Sequence, residues 1–277
     1  MKKSSKRSLT ILSIGLFIIL IIVLYPFYLV VANAFKSYSE ITKDMLGFPT
    51  SLHWENFATA MKMMDFWNAF WNTLKVTVMS NVGLIIFGTM CGYWLIRKSN
   101  KLNKFLYYLL LGAMAIPFQS IMIPLVQVMK VTGLTGSHWG MSIGYWGLGC
   151  STVIFLTYGA IKSIPYELEE AAIIDGCSQF RLFWKIIFPL LKTIVLTFTI
   201  LNTFWFWNDY LYPQLCVGGV EANRTIQIAI RMFTGENYTR WDWFLPALVV
   251  AIIIPIIFFI ICQRKIVEGM VSGAVKG

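Results

Sequence analysis

The chain is short of charge. Charged residues make up 13% of its 277 positions, against roughly 25% in a typical soluble domain. Acids are the scarcer sign, with 13 Asp and Glu facing 23 Lys and Arg. Two histidines, His53 and His138, are too few for a metal cluster. Cys91, Cys150, Cys177, Cys216 and Cys262 stand singly, with no Cys-x-x-Cys pair. They read as small apolar packing residues rather than a disulfide or zinc set. No Gly-x4-Gly-Lys-Ser/Thr stretch exists, which excludes a P-loop nucleotide site of the chain's own. No His-Glu-x-x-His or Gly-x-Ser-x-Gly occurs, and the remaining Ser, Tyr and Asp make no recognisable nucleophile arrangement. These absences point away from an enzyme.

What abounds is apolar sequence: 57% hydrophobic, with mean hydropathy +0.68. It comes in blocks, and blocks of about 18 or more such residues read as membrane spans. Six spans are expected near 9–32, 70–96, 105–129, 140–162, 187–213 and 243–262. The fold class is then an all-α polytopic membrane protein, with 1–277 as one transmembrane domain. The apolar stretch from Leu9 to about Val31 exceeds a signal-peptide core and no small-residue cleavage site follows, so an uncleaved first span is expected. Pro117, Pro124, Gly144, Gly147 and Gly149 interrupt the third and fourth spans, making them the least regular. No internal repeat is evident, which counts against an inverted-repeat transporter.

Basic residues orient the spans. Lys2, Lys3, Lys6 and Arg7 precede the first. Arg97, Lys98, Lys101 and Lys104 fill the second connection, and Lys162, Arg181, Lys185 and Lys192 lie in or beside the fourth. Arg264, Lys265 and Lys276 follow the last. Six spans put all of these on one side, so both termini are expected in the cytoplasm. The other side carries mixed charge, from Glu40 to Asp65 and from Glu221 to Asp242. The net charge of +10 is therefore a topology signal, and no nucleic-acid partner is implied.

One charged interruption stands out: "EEAAIIDGCSQFRLFWKIIFPLL", Glu169 to Leu191. Pro165 suits the first turn of a helix, with Ser163 as a helping cap. Glu167, Glu169 and Glu170 follow, where carboxylates favour the positive helix end. Gly176 is placed to end this short helix in a left-handed conformation. A second helix starts near Ser178, with Arg181 and Lys185 on one face and Phe180, Phe183, Trp184 and Ile187 supplying the apolar side. Pro189 falls where it merges into the fifth span. Two explanations stay open: an amphipathic hairpin resting on the membrane surface, or a helix docking onto another protein through its acids and its small Ala171–Ala172 pair.

The same stretch resembles the cytoplasmic signature of ABC-importer permeases, Glu-Ala-Ala-x3-Gly-x9-Ile-x-Leu-Pro. Glu170, Ala171, Ala172, Gly176, Ile186 and Pro189 match at the right spacing. Phe188 stands where Leu is usual, and Cys177 where Ala is usual; both stay apolar. The C-terminal "QRKIVEGMVSGAVKG", "IPFQSIMIPLVQVMKVTGL", "FWFWNDYLYP" and "FLPALVVAIIIPIIFFI" are similar to the maltose and multiple-sugar branch. The short first external loop resembles the smaller permease of a pair. The resemblance implies a type I ABC importer permease fold with a cytoplasmic coupling loop at about 163–189. It implies a non-catalytic subunit of a carbohydrate importer in a bacterial plasma membrane. Its partners would be a homologous second permease, two ATP-binding subunits and an extracellular sugar-binding protein. ATP and Mg would be bound by the ATPase partner, with no cofactor in this chain. Glu167, Glu170, Ala171, Ala172, Asp175, Gly176, Arg181 and Pro189 would be the coupling residues. The tail from Gln263 to Gly277 would reach the ATPase interface too. A permease for a non-sugar solute, or an ion-coupled secondary transporter, is the competing assignment; the latter would need charged relays, and only Asp209 and Lys75 come near.

Polar residues within spans are candidates for a translocation path: Gln119 (with Gln127) in the third, and Asn202, Asn208, Asp209 and Tyr210 in the fifth. Amides, carboxylates and aromatic faces suit sugars. Trp205, Trp207 and Tyr210 suit an interfacial aromatic belt or a pore gate better than direct sugar contact, and Gln119 could satisfy backbone groups freed by Pro117.

Overall fold

In the computed structural model, residues 2–217, 219–235 and 238–274 are described, with side chains from Leu9 to Arg264. Glu236 and Lys276 lie outside the described residues, as does the end of the C-terminal tail; no side chain is described for the basic residues before Leu9 or for Lys265. Among the described residues fifteen α-helices follow one another: α1 (Lys2–Ala34), α2 (Tyr38–Lys43), α3 (Glu55–Met63), α4 (Phe66–Gly83), α5 (Thr89–Arg97), α6 (Lys101–Ala113), α7 (Phe118–Val131), α8 (His138–Lys162), α9 (Glu167–Ile174), α10 (Gln179–Leu182), α11 (Phe188–Leu190), α12 (Lys192–Asn208), α13 (Leu211–Val217), α14 (Ile226–Ile230) and α15 (Trp241–Ala274). Among the described residues no strand occurs, and the one isolated bridge joins Thr234 to Thr239.

Among the described residues three helices are long and apolar enough to cross a membrane: Leu9–Ala34, Phe66–Arg97 and Trp241–Arg264. Three bent pairs raise the number to six if each is one span. The expected third and fifth spans are therefore broken rather than continuous. α6 and α7 meet at 111°, because Pro117 holds an extended backbone, ψ 138°, and disfavours helix in the residue before it. The path from Gln179 to Leu190 meets α12 at 75°. Pro189 has no N–H to give the Lys185 carbonyl, and a π-helical turn, Phe183–Ile187, precedes it. The corner follows at Leu191, so Pro189 marks a sharp bend rather than a smooth entry. α12 ends at Asn208, short of the expected 213.

Packing groups the chain into two units. In the first, Met1–Phe66 with Ala229–Ile254, Ala34, Ile41 and Leu245 form a small core with Phe57, Trp241 and Phe244. Lys36 is fully buried there; its ammonium donates to the Asp44 and Gly47 carbonyls, both at 2.7 Å. The Thr50 N–H donates to Glu40 at 2.6 Å and holds that carboxyl below the usual range. The apolar residues of α1 from Leu9 to Leu24 are mostly exposed, as a lipid-facing helix requires.

The second unit, Trp67–Ile228 with Pro255–Gly277, holds the larger core, including Leu84, Tyr145, Val153, Ile161, Phe183, Ile187, Phe198 and Tyr212. α8 runs unbroken through 25 residues, although its glycines were expected to interrupt it. They do a different job. A methyl on Gly144 would overlap the Tyr212 hydroxyl, and one on Gly83 of α4 would overlap the Trp146 ring. Without a hydrophobic driving force between helices in lipid, close approach through small residues supplies the attraction.

Gly144→Ala and Gly83→Ala should each cost about 1–3 kcal/mol by overpacking, whereas Gly147→Ala meets open space. Thermal unfolding in detergent should rank Gly147→Ala with wild type and the other two below it.

Candidate functional site

The acidic stretch folds as a short helix, a left-handed turn and a second helix. α9 carries Glu167, Glu169 and Glu170 in its first turn. Pro165 sits just ahead of its cap, Tyr166, not within the first turn. Ser163 does not cap it; its hydroxyl donates to the Ala160 carbonyl at 2.7 Å and closes α8. Gly176 has φ +78°. Around it the Cys177 N–H donates to the Ala172 carbonyl and the Gly176 N–H to that of Ile173, both at 2.9 Å. This paired closure of the last carbonyls is a Schellman turn. Ser178 then caps α10 by accepting from the Arg181 N–H at 3.4 Å.

The two faces of α9 differ. Glu169 and Ala172 are buried, while Leu168, Glu170, Ala171, Ile173 and Ile174 are exposed; Glu167 and Asp175 are exposed as well. The Ala pair is thus split: Ala172 joins the chain's own core and Ala171 faces out. Glu169 accepts from Arg97 Nε at 2.6 Å and from the Tyr93 hydroxyl at 2.8 Å. On the second helix Leu182, Phe183 and Ile187 are buried, Trp184 half-buried, and Arg181 and Lys185 exposed. Phe180, expected on the apolar side, is 66% exposed. From Phe183 onward a π turn follows, which holds more residues per turn than an α-helix, so a uniform 3.6-residue period does not describe this helix.

The polar candidates of the spans do not gather into one site. Gln119 lies exposed in the first turn of α7, and no hydrogen bond joins it to Asn202, Asn208 or Asp209. Asn202 is buried in α12. Asn208 is exposed, its amide donating to the Phe204 carbonyl at 2.8 Å. Asp209 is engaged within the chain, accepting from the Tyr145 hydroxyl at 2.9 Å and from the Tyr212 N–H at 3.5 Å. Tyr210 is half-buried and packs against the core. Sequence reasoning missed Tyr145, Arg97 and Tyr93 as partners of these acids, since each lies at least 64 residues away. Among the described residues no group of His, Cys, Asp and Glu could hold a metal ion.

Residues 84–271 match the family model described as binding-protein-dependent transport system inner membrane component. The chain belongs to this family. It is therefore a transport permease, and the hairpin of α9 and α10 lies within the matched region. It is 42% identical over 252 residues to a probable starch degradation products transport system permease of Thermoanaerobacterium thermosulfurigenes, covering 91% of each chain. It is 31% identical to the melibiose/raffinose/stachyose import permease of Bacillus subtilis, over 100% of both. The fold is similar to a crystal structure of a bacterial ABC transporter that imports the acidic polysaccharide alginate, with TM-score 0.82, 22% identity and coverage of 95% of this permease and 98% of that chain.

A side chain at Gly176 would be strained by its positive φ, at a cost of roughly 1–2 kcal/mol for most residues. Gly176→Val should speed amide hydrogen exchange at the end of α9, and Gly176→Asn, which tolerates this region, should change it little.

Proposed function

We propose that the chain is the membrane-spanning permease subunit of an ATP-driven carbohydrate importer, coupled through α9 to a separate ATPase. The division of α9 into a face locked inside the chain and an exposed face of Glu170, Ala171 and Ile174 carries the proposal. An acidic and apolar outer face is poorly suited to an anionic lipid surface and well suited to a protein cleft. Glu167, Glu170, Ala171 and Asp175 form the docking face. Ala172 acts from inside, letting α9 sit close to its own chain. Gly176 sets the angle to the second helix, Arg181 offers an exposed cation, and Pro189 fixes the corner into α12. ATP-driven closure of the partner subunits moves this hairpin, and the spans follow. The absence of a P-loop from the sequence agrees with that division of labour.

The remaining partners are a homologous second permease, two ATP-binding subunits and an extracellular binding protein that delivers the sugar. ATP and Mg belong to the ATPase. The chain works as one permease domain with six spans in a bacterial plasma membrane, its basic connections and both termini in the cytoplasm and its tail near the ATPase. The names of the two curated relatives support a sugar as cargo. Gln119, Asn208 and Tyr210 are the path candidates with accessible surface; Asn202 and Asp209 support the path from within.

Glu170→Lys reverses a charge on the docking face without touching the core. In the assembled transporter it should weaken ATPase capture and lower sugar uptake about tenfold, the effect of losing 1.4 kcal/mol, with membrane insertion intact. Normal capture and uptake would overturn the docking role.

A further inference from the structure

The three acids of α9 do not share one fate. Glu167 and Glu170 are exposed, whereas Glu169 is 2% exposed. Its two oxygens take separate donors, Arg97 Nε at 2.6 Å and the Tyr93 hydroxyl at 2.8 Å. Arg97 also donates to the Ile164 carbonyl at 3.1 Å, and its guanidinium lies 5.5 Å from the Tyr166 ring. Tyr93 and Arg97 are one turn apart at the end of α5, the last turn of the long Phe66–Arg97 helix. Tyr93 also meets the Phe183 ring, centroids 5.3 Å apart, in the π turn beyond α10. Both arms of the hairpin are thus fastened to the end of that one helix.

A buried ion pair is rarely the most stable filling for such a place, because apolar residues of similar volume do as well or better. What it adds is registry: one guanidinium bonds both the Glu169 carboxylate and the Ile164 carbonyl, and its rigid plane fixes direction as well as distance. Without it, α9 is held by Ala172 against the core and by the Ser163–Tyr166 and Gly176 turns at its ends, none of which ties it to the Phe66–Arg97 helix by a directed polar contact.

We propose that Tyr93, Arg97 and Glu169 form a clamp that transmits movement of α9 to the Phe66–Arg97 helix, making them positioning residues of the transport cycle. The clamp rests on the docking role proposed for α9. It assigns Glu169 to transmission inside the chain, not to the partner surface beside it.

The test uses the full transporter in liposomes. Sugars moved per ATP are measured, with nitroxide probes on exposed Ile174 of α9 and exposed Ser99 beyond α5. In wild type, trapping with ATP and vanadate should shift both probes. In Glu169→Gln and Arg97→Met the Ile174 probe should still shift, the Ser99 probe should not, and sugars per ATP should fall about fivefold or more, the range of a typical coupling energy. The exchange Arg97→Glu with Glu169→Arg should restore the ratio toward wild type. An unchanged ratio and an unchanged Ser99 shift, with only lower thermal stability, would show an ordinary structural pair and overturn the clamp. If neither single variant assembles, Tyr93→Phe removes one hydrogen bond and leaves the ion pair; an unchanged ratio there overturns it equally. A wild-type Ile174 probe that ignores ATP would instead show that the docking role has failed, and the clamp with it.

Discussion

A carboxylate taken out of water must be given donors and a cation, or it will not stay charged. Glu169 accepts from Arg97 Nε and from the Tyr93 hydroxyl, and the rest of the hairpin is arranged around it. α9 has eight residues, little more than two turns. Fixing Glu169 and, three residues on, Ala172 against the core leaves no rotational freedom. Glu170, Ala171 and Ile174 must then point outward. Removing one partner of such a pair costs about 3–5 kcal/mol, since the other charge stays buried. The orientation of the outer face is therefore set by an interaction on the opposite face.

The membrane part obeys a related constraint. Apolar side chains gain little by leaving lipid, so helix contacts depend on how closely backbones approach and on polar groups finding partners. Gly144 and Gly83 make room for Tyr212 and Trp146. Tyr145 pairs with Asp209 beneath a cluster of rings that includes Phe206 and Tyr212. A charge that seemed a candidate for contact with the solute is thereby spent on tying α8 to the end of α12, while Asn208 and Tyr210 beside it keep accessible surface.

Local chemistry made much of the hairpin legible in advance. Gly176 and Ser178 act where their backbone preferences placed them, because a left-handed turn and a hydroxyl cap are decided within a few residues. The clamp was not legible, because Arg97 and Glu169 are 72 residues apart and each reads alone as a solvated charge. Lys36 was not singled out for the same reason: nothing nearby in sequence announces that the Asp44 and Gly47 carbonyls will accept from it. Periodicity failed where the helix changed pitch. The π turn before Pro189 interrupts the uniform period, and Phe180, one turn ahead of it, lies exposed instead of sharing the buried face of Phe183 and Ile187. Apolar runs showed that the third and fifth segments belong in a membrane, but Pro117 and Pro189 decided that they would bend.

The central claim is that α9 has an inner face held by its own chain and an outer face offered to an ATPase subunit. Photo-crosslinking in the assembled transporter tests it directly, with a photoreactive side chain placed at Ile174, which is 85% exposed, or at Ala172, which is 8% exposed. The account predicts that the probe at Ile174 captures the ATPase subunit, while the probe at Ala172 reacts within the permease. Capture of lipid alone from Ile174, or equal capture of the ATPase from both positions, would contradict it.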